Sequence, residues 1–251
     1  MTRRDNKVDE VHNSAPVREQ SIQKQLLHEM REGRFKDCNR LPRESMLADM
    51  LNISRTQLRD SLAELEREGF ISRRQGLGTI INRHVLTVPV RMDLEIEFMD
   101  MIRRSGKRPT ERLEEVTTFR SVQTAAKLGI GRTDEILLVP RVVTADGKPV
   151  IYCEDYIPLS LIVREYEREE LQKPIFAFLK NCCGKEAYLD VTELRPVAAK
   201  GVAAQRLNVP EGTPLLYMDE VDYDFEGKPV MYSRQFFVDG VISHTVVRRK
   251  I

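Results

Sequence analysis

Residues 41–81 restrict the fold more than any other part of the chain, because hydrophobic period, capping chemistry and glycine placement change there in a fixed order. Leu47 and Leu51 stand at i, i+4, as one face of a short helix requires, and Asn52-Ile53-Ser54 interrupts that run. Ser54 precedes Gln57 by the capping-box spacing, in which each side chain satisfies the other residue's backbone N–H. A second helix is therefore predicted from Arg55. Its Leu58, Leu62 and Leu65 recur at i, i+4, i+7 and must be buried, which leaves Arg55, Thr56, Gln57 and Arg59 off the stripe in the first turn and a half.

After Gly69 the period shortens to that of a strand. Residues 70–73 and 79–82 read as two short strands, with Gln75-Gly76-Leu77-Gly78 turning between them. Glycine at the tip lets the backbone approach a phosphate or the minor groove, and Arg73 and Arg74 supply counter-charge. A capped amphipathic helix with two arginines would alone be a solvated surface helix. Helix, turn, helix and arginine-rich hairpin in that order form a winged helix-turn-helix, whose second helix presents its N-terminal residues to base edges in the major groove.

The same stretch resembles the DNA-binding domain of the GntR regulators. The resemblance rests on Leu41-Pro42-Arg43-Glu44, residues 53–62 (Ile-Ser-Arg-Thr-Gln-Leu-Arg-Asp-Ser-Leu), Glu68-Gly69-Phe70-Ile71 and Gln75-Gly76-Leu77-Gly78-Thr79. It implies contacts to double-stranded DNA from Arg55, Thr56, Gln57 and Arg59 and, in the wing, from Gln75 and Gly76; Arg73 and Arg74, for their charge, and Arg43 and Ser45 are further candidate contacts. Ser45 stands where the family often has arginine, and Cys38 where a turn glycine is common, so Ser45 is expected to be the weaker contact.

Two hundred and fifty-one residues accommodate this module plus a larger second domain. The expected division is a disordered tail over 1–15, a winged domain over 16–83, a linker over 84–90 and an effector domain over 91–251. Ile22, Leu26, Leu27 and Met30 mark a first helix, residues 82–89 a strand-like connection, and 92–105 a further helix. The net charge is only +1; residues 1–83 hold 16 Lys plus Arg against 13 Asp plus Glu, a weak excess, so attraction to DNA depends on the clustered arginines. The first sixteen residues lack a signal-peptide core and no run is long enough to span a membrane, so a cytoplasmic protein without membrane contact is expected. Cys38, Cys153, Cys182 and Cys183 show no metal-ligand spacing and read as reduced thiols, with a redox-sensing Cys182-Cys183 pair as the alternative. No cofactor or metal is expected.

The second half contains a two-fold repeat. Leu128 and Leu207 close similar helical segments 79 residues apart, and the turns Asp146-Gly147-Lys148-Pro149-Val150 and Glu226-Gly227-Lys228-Pro229-Val230 lie 80 apart. Each half should supply a helix, a strand, a G-K-P turn and a second strand, giving an antiparallel sheet with helices on one side and an α+β chain overall. Residues 91–251 resemble the UTRA effector domain of HutC-type GntR regulators, which has a chorismate lyase-like fold.

Carried across from relatives that bind phosphorylated sugars, the effector positions fall at Arg141, Val143, Cys153 with Glu154 adjacent, Met231 and Phe237; Phe98 and Met99 are read with Met231 and Phe237 as the walls of the cavity. Val143 replaces the second of an arginine pair, Cys153 and Met231 replace carboxylates, Phe237 a tyrosine, and a phosphate-capping serine would fall near Pro174. A mostly apolar cavity with one cation suggests a small anionic effector held by Arg141, because each unmatched hydroxyl buried there would cost about 1 to 3 kcal/mol. The same apolar residues could instead be plain core. An enzyme of chorismate lyase-like fold acting on a small organic acid is the alternative function, although His12, His28, His84 and His244 form no cluster, no nucleophile has an evident base, and no catalytic residue is assigned. The resemblance implies a homodimer on a palindromic operator, commonly a repressor, with residues 82–90 as the relay.

Overall fold

The computed structural model describes residues 15–248, with side chains from Ile22 onward. The tail expected over 1–15 lies outside the described residues as far as 14, and Ala15 already opens the first helix. The chain forms two compact units. One runs to Asp93 and regains the chain from Thr245; the other is Leu94–His244.

The first unit contains α1 (Ala15–Arg31), α2 (Glu44–Leu51), α3 (Arg55–Arg67), β1 (Ile71–Arg74), β2 (Gly78–Ile81) and α4 (Arg83–Leu86). Leu26 and Met30 of α1, Leu47 of α2 and Leu58, Leu62 and Leu65 of α3 are completely or almost completely buried, as the leucine spacing predicts. Asn52 takes a left-handed conformation at φ 54° and ends α2, so that three residues suffice to turn the chain into α3. β1 and β2 pair from Ile71↔Ile81 to Arg74↔Gly78, and Gly76 at φ +79° makes the tip. Residues 39–41 add a third edge: Leu41 donates its N–H to the Thr79 carbonyl at 3.0 Å, and Ile81 donates to Asn39 at 2.9 Å.

The expected connection over 82–90 differs. Residues 83–86 are helical, and Val85, Leu86 and Val90 are buried, so this segment belongs to the winged unit. Arg83 explains the placement: Nη1 donates to the Met30 carbonyl at 2.5 Å, Nε to Cys38 at 3.0 Å, and Nη2 to Phe35 and Cys38. One guanidinium thus satisfies carbonyls at the end of α1 and in the loop beyond it. The chain's last described residues also return here. Met92 donates to the Thr245 carbonyl at 2.9 Å, and buried Arg91 lies 4.8 Å over the Phe70 ring while pairing with Asp93.

The second unit contains α5 (Phe98–Arg104), β3 (Pro109–Leu113), β4 (Thr117–Phe119), α6 (Val122–Leu128), β5 (Ile136–Ala145) and β6 (Lys148–Pro158). It continues with α7 (Ile175–Cys183), β7 (Leu189–Ala198), α8 (Gly201–Leu207), β8 (Pro214–Tyr223) and β9 (Pro229–Val238). The helix expected over 92–105 is confined to α5. All strand pairs are antiparallel, in the order β3-β5-β6-β9-β8-β7, with β4 also on β5. The repeat is visible as α6-β5-β6 and α8-β8-β9, joined through β6 and β9. Gly129 and Asn208 cap the two repeat helices in the same left-handed conformation.

Helices occupy both faces of the sheet, not one. α6 packs with Ile136, Tyr156, Val221 and Tyr232, and α8 with Val142, Tyr152 and Leu215. α7 lies outside the repeat; its Ile175, Phe178, Leu179, Cys182 and Cys183 cover Leu137, Val139, Ile157 and Met231 on the other face.

Arg83→Ala would strand several carbonyls together, so it should lower the unfolding free energy of the winged unit by about 1 to 3 kcal/mol, whereas Arg83→Lys should recover only part of that. Chemical denaturation followed by circular dichroism measures both.

Candidate DNA interface and effector site

The start of α3 is built by its cap. The Ser54 hydroxyl accepts the Gln57 N–H at 3.2 Å, while the Gln57 carboxamide oxygen accepts the Ser54 N–H at 3.1 Å. This arrangement leaves Arg55, Thr56 and Arg59 exposed along one side of the helix start. Gln57 is half-buried with its oxygen committed to the cap, so only its amino group remains for a base. Arg43 is the exposed residue preceding α2, and Ser45 is half-buried in that helix's first turn.

In the wing, Arg74, Gln75 and Gly76 are exposed at the tip. Arg73 is held differently: its Nε donates to Glu66 Oε2 at 2.7 Å and its backbone N–H to Glu66 Oε1 at 2.6 Å. That pair fastens the wing to α3 and neutralises the arginine.

The effector unit places its chemistry on the α7 face of the sheet. One row across β5, β6, β9 and β8 is Arg141, Cys153, Gln235 and Met218; the next, extended onto β7, is Val139, Asp155, Ser233, Glu220 and Thr192. Met231, Asp222 and Asp190 align beyond them, and Val143, Ile151, Phe237 and Leu216 on the opposite flank. Arg141, Val143, Cys153, Met231 and Phe237 therefore share one face, as expected. Phe98 joins them edge-on to Phe237 at 6.0 Å between ring centroids, and Met99 follows in α5.

Glu154 does not. Strand alternation turns it to the α6 and α8 face, where it accepts the Tyr152 and Tyr156 hydroxyls at 2.9 and 2.8 Å and pairs with Arg234 at 3.2 Å. The carboxylate beside Cys153 on the effector face is Asp155, which accepts the Ser233 hydroxyl at 2.8 Å and the Cys153 thiol at 3.0 Å. The two-residue period, counted from Arg141 and Cys153, was the signal that could have found it.

The same face also carries carboxyl groups outside the positions carried over from the family. Glu220 accepts from Gln235 at 2.8 Å and from the Thr192 hydroxyl at 2.6 Å, and Asp222 is completely buried with neither oxygen hydrogen-bonded. Arg141 is 2% exposed; its Nη2 donates to the Leu171 carbonyl at 3.1 Å, while Glu111 and Asp155 stand off at 3.6 and 4.0 Å. Its Nε makes no hydrogen bond. A groove of about 470 Å³ at the Phe237 end is lined by Leu194, Pro196, Leu216, Phe237, Ile242 and His244.

A UTRA domain model matches residues 104–239, more than half of the chain, and the model for bacterial regulatory proteins of the gntR family matches residues 18–81. The chain is a GntR-family transcriptional regulator with a UTRA domain. Among its relatives, the "Probable transcriptional regulator PhnF" of Escherichia coli (strain K12) is 25% identical over 88% of this chain and 90% of its own length. The HTH-type transcriptional repressor NagR of Bacillus subtilis (strain 168) is 25% identical over 86% of this chain and 88% of its own. The crystal structure of YydK from Bacillus subtilis superposes with a TM-score of 0.76, covering 92% of this chain and 99% of that one at 22% identity, and so shares the fold.

Within this GntR regulator, burial controls the ionisation of the effector face. Burial, reinforced by the Glu220, Glu95, Asp155 and Asp190 carboxylates, pushes Asp222 up to about 9. Burial also raises Glu220 to about 7, opposed by the hydrogen bond from Thr192, and Glu95 to about 8. Glu111 is raised by burial against the pull of Arg141. The cysteines of α7 are buried, and burial pushes the Cys183 thiol up to about 11, which suppresses the thiolate a redox sensor needs. Among the described residues no helix is long and apolar enough to cross a membrane.

A carboxyl that keeps its proton when folded but has a pKa of about 3.9 when unfolded stabilises the fold most fully below that value, and the contribution is lost as pH rises through the folded value. For Asp222 that window extends to about pH 9. The regulator should therefore melt at a lower temperature at pH 9 than at pH 6, and Asp222→Asn should flatten the decline while leaving the acid-side melting temperature nearly unchanged. Calorimetric melting across that range checks it.

Proposed function

We propose that this chain is a cytoplasmic repressor that binds a palindromic operator as a homodimer and responds to a small effector with an anionic group held by Arg141. The observation that carries the DNA reading is the exposed set Arg55, Thr56 and Arg59 at the capped start of α3, with an arginine-bearing wing in the same unit. Arg and polar residues there suit hydrogen bonding to base edges, and the wing tip suits phosphate. The Nε of buried Arg141 supports the effector reading: it makes no hydrogen bond, its nearest carboxylate is Glu111 at 3.6 Å, and an oxyanion at hydrogen-bond distance would complete its donor set.

Coupling would pass through the two chain crossings, 93/94 and 244/245. Phe237 contacts Phe98, four residues beyond the first crossing, and lies 4.8 Å from the ring of His244 at the second. An effector that moves Phe237 would bias both crossings together, replacing the 82–90 relay expected from sequence. Such differential stabilisation typically amounts to about 1 to 3 kcal/mol.

The homodimer contact is assigned to β7, an outer strand of ten residues that exposes Leu189, Val191 and Leu194. A second copy would cover the free edge and these side chains. Val191→Lys combined with Leu194→Glu should shift sedimentation toward monomer and weaken operator binding, with secondary structure retained.

Selection of genomic fragments at about 0.15 M salt, where nonspecific attraction is reduced, should return one palindromic sequence. Fluorescence anisotropy on that sequence should show Arg59→Ala losing about 1 to 3 kcal/mol of discrimination, whereas Arg74→Ala weakens operator and random DNA alike. Equal losses on both DNAs for Arg59→Ala would refute its base-reading role.

A further inference from the structure

The wing ends in a side chain that its own unit does not bury. Leu77 is 46% exposed and lies in the three-residue loop that follows the last β1–β2 pair, Arg74↔Gly78. Its backbone is held on both sides. The Leu77 N–H donates to the Arg74 carbonyl at 3.1 Å, and the flanking Gly76 and Gly78 are left-handed at φ +79° and +76°. A Cβ on either glycine would meet nothing within 4 Å, so these positions are glycine for their backbone conformation and not for room. Two of the five residues from Arg74 to Gly78 therefore lack side chains. The tip is slim, and the side chains it exposes are Arg74, Gln75 and Leu77.

A leucine exposed singly on a protein surface needs no special account. Leu77 stands out by its place, at the apex of an arginine-bearing hairpin in a DNA-binding unit. The apolar side chains of that hairpin, Ile71 and Ile81, are buried, so Leu77 does not extend their face. It has no charge for a phosphate and no donor or acceptor for a base edge. What an apolar side chain can distinguish is the floor of the minor groove. A·T and T·A pairs present only acceptors there, whereas a G·C pair adds the guanine 2-amino group. That group stands out from the floor, and leucine pressed against it would displace its water while offering no acceptor in return. Apolar side chains, leucine among them, are used in this way by proteins that enter the minor groove.

We propose that Leu77 is a specificity-determining residue that enters the minor groove beside the recognition-helix contacts and selects A·T pairs by excluding the guanine 2-amino group. The inference rests on the operator-binding reading above and adds a second base-reading element to it, with Arg74 remaining the phosphate contact.

The test uses the full chain and its selected operator, with base analogues that change the minor groove alone. 2,6-Diaminopurine in place of adenine adds a 2-amino group and hypoxanthine in place of guanine removes one, while the major-groove edges are retained. Placed pair by pair outward from the recognition-helix contacts, diaminopurine should weaken binding about fivefold or more at one or two pairs in each half-site. A G·C pair at the same place should also weaken binding, and hypoxanthine·C should restore the affinity of A·T. Leu77→Ala, at an exposed position, should keep its circular dichroism and its operator while the diaminopurine penalty falls below about twofold. Leu77→Asn, whose carbonyl can accept from the 2-amino group, should bind the diaminopurine operator at least as well as the adenine one. Lack of any sensitive pair, a penalty undiminished in Leu77→Ala, or failure of hypoxanthine to restore binding would overturn the assignment. The two readings fail separately. A chain that holds one operator but ignores the 2-amino group loses only the role of Leu77, and one that selects no sequence loses the operator reading and this role with it.

Discussion

The pairing of β6 with β9 organises the effector unit, because it joins the two halves of the repeat and sets which side chains share a face. Its register runs from Ile151↔Phe237 to Tyr156↔Tyr232. On one face it stacks Tyr152 on Phe236 and Tyr156 on Tyr232, beneath the repeat helices. On the other it brings Cys153 beside Gln235 and Asp155 beside Ser233. A slip of β6 by one residue would turn Glu154 toward α7 and remove Asp155 from the effector side. The aromatic stacking thus protects the polar arrangement opposite it.

A similar economy holds in the DNA-binding unit. Gln57 and Arg73 carry motif positions, yet both shape the domain: one closes the cap of α3, and the other ties the wing to Glu66. Their neighbours Arg55, Thr56, Arg59 and Arg74 are the exposed ones, and the internal bonds fix where those side chains stand on the unit's surface. The return of the chain at Thr245 gives this unit a second covalent connection to the effector unit.

Much of this was legible along the chain. The Leu58, Leu62 and Leu65 stripe, the Ser54–Gln57 box and the paired G-K-P turns depend on residues a few positions apart, and local periodicity reports such relations directly. Residues 83–86 carry a strand-like local pattern yet are helical, because their placement depends on Arg83 reaching carbonyls 45 to 53 residues away. Glu154 follows Cys153 in sequence, but strand alternation turns adjacent residues to opposite faces, so adjacency does not place it with Arg141. The acidic residues of β7 and β8 lay outside every motif carried over from the family.

The sequence by itself determined the order of helix, turn, helix and wing, the two-fold repeat of the effector domain and the family, because caps, turns and hydrophobic periods are short-range properties. Only the tertiary structure decided that Asp155 and not Glu154 shares a face with Arg141, that neither oxygen of buried Asp222 is hydrogen-bonded, and that the chain returns to the DNA-binding unit at Thr245. Those outcomes depend on strand register and on contacts between distant segments, and no local period encodes which distant segment will be the neighbour.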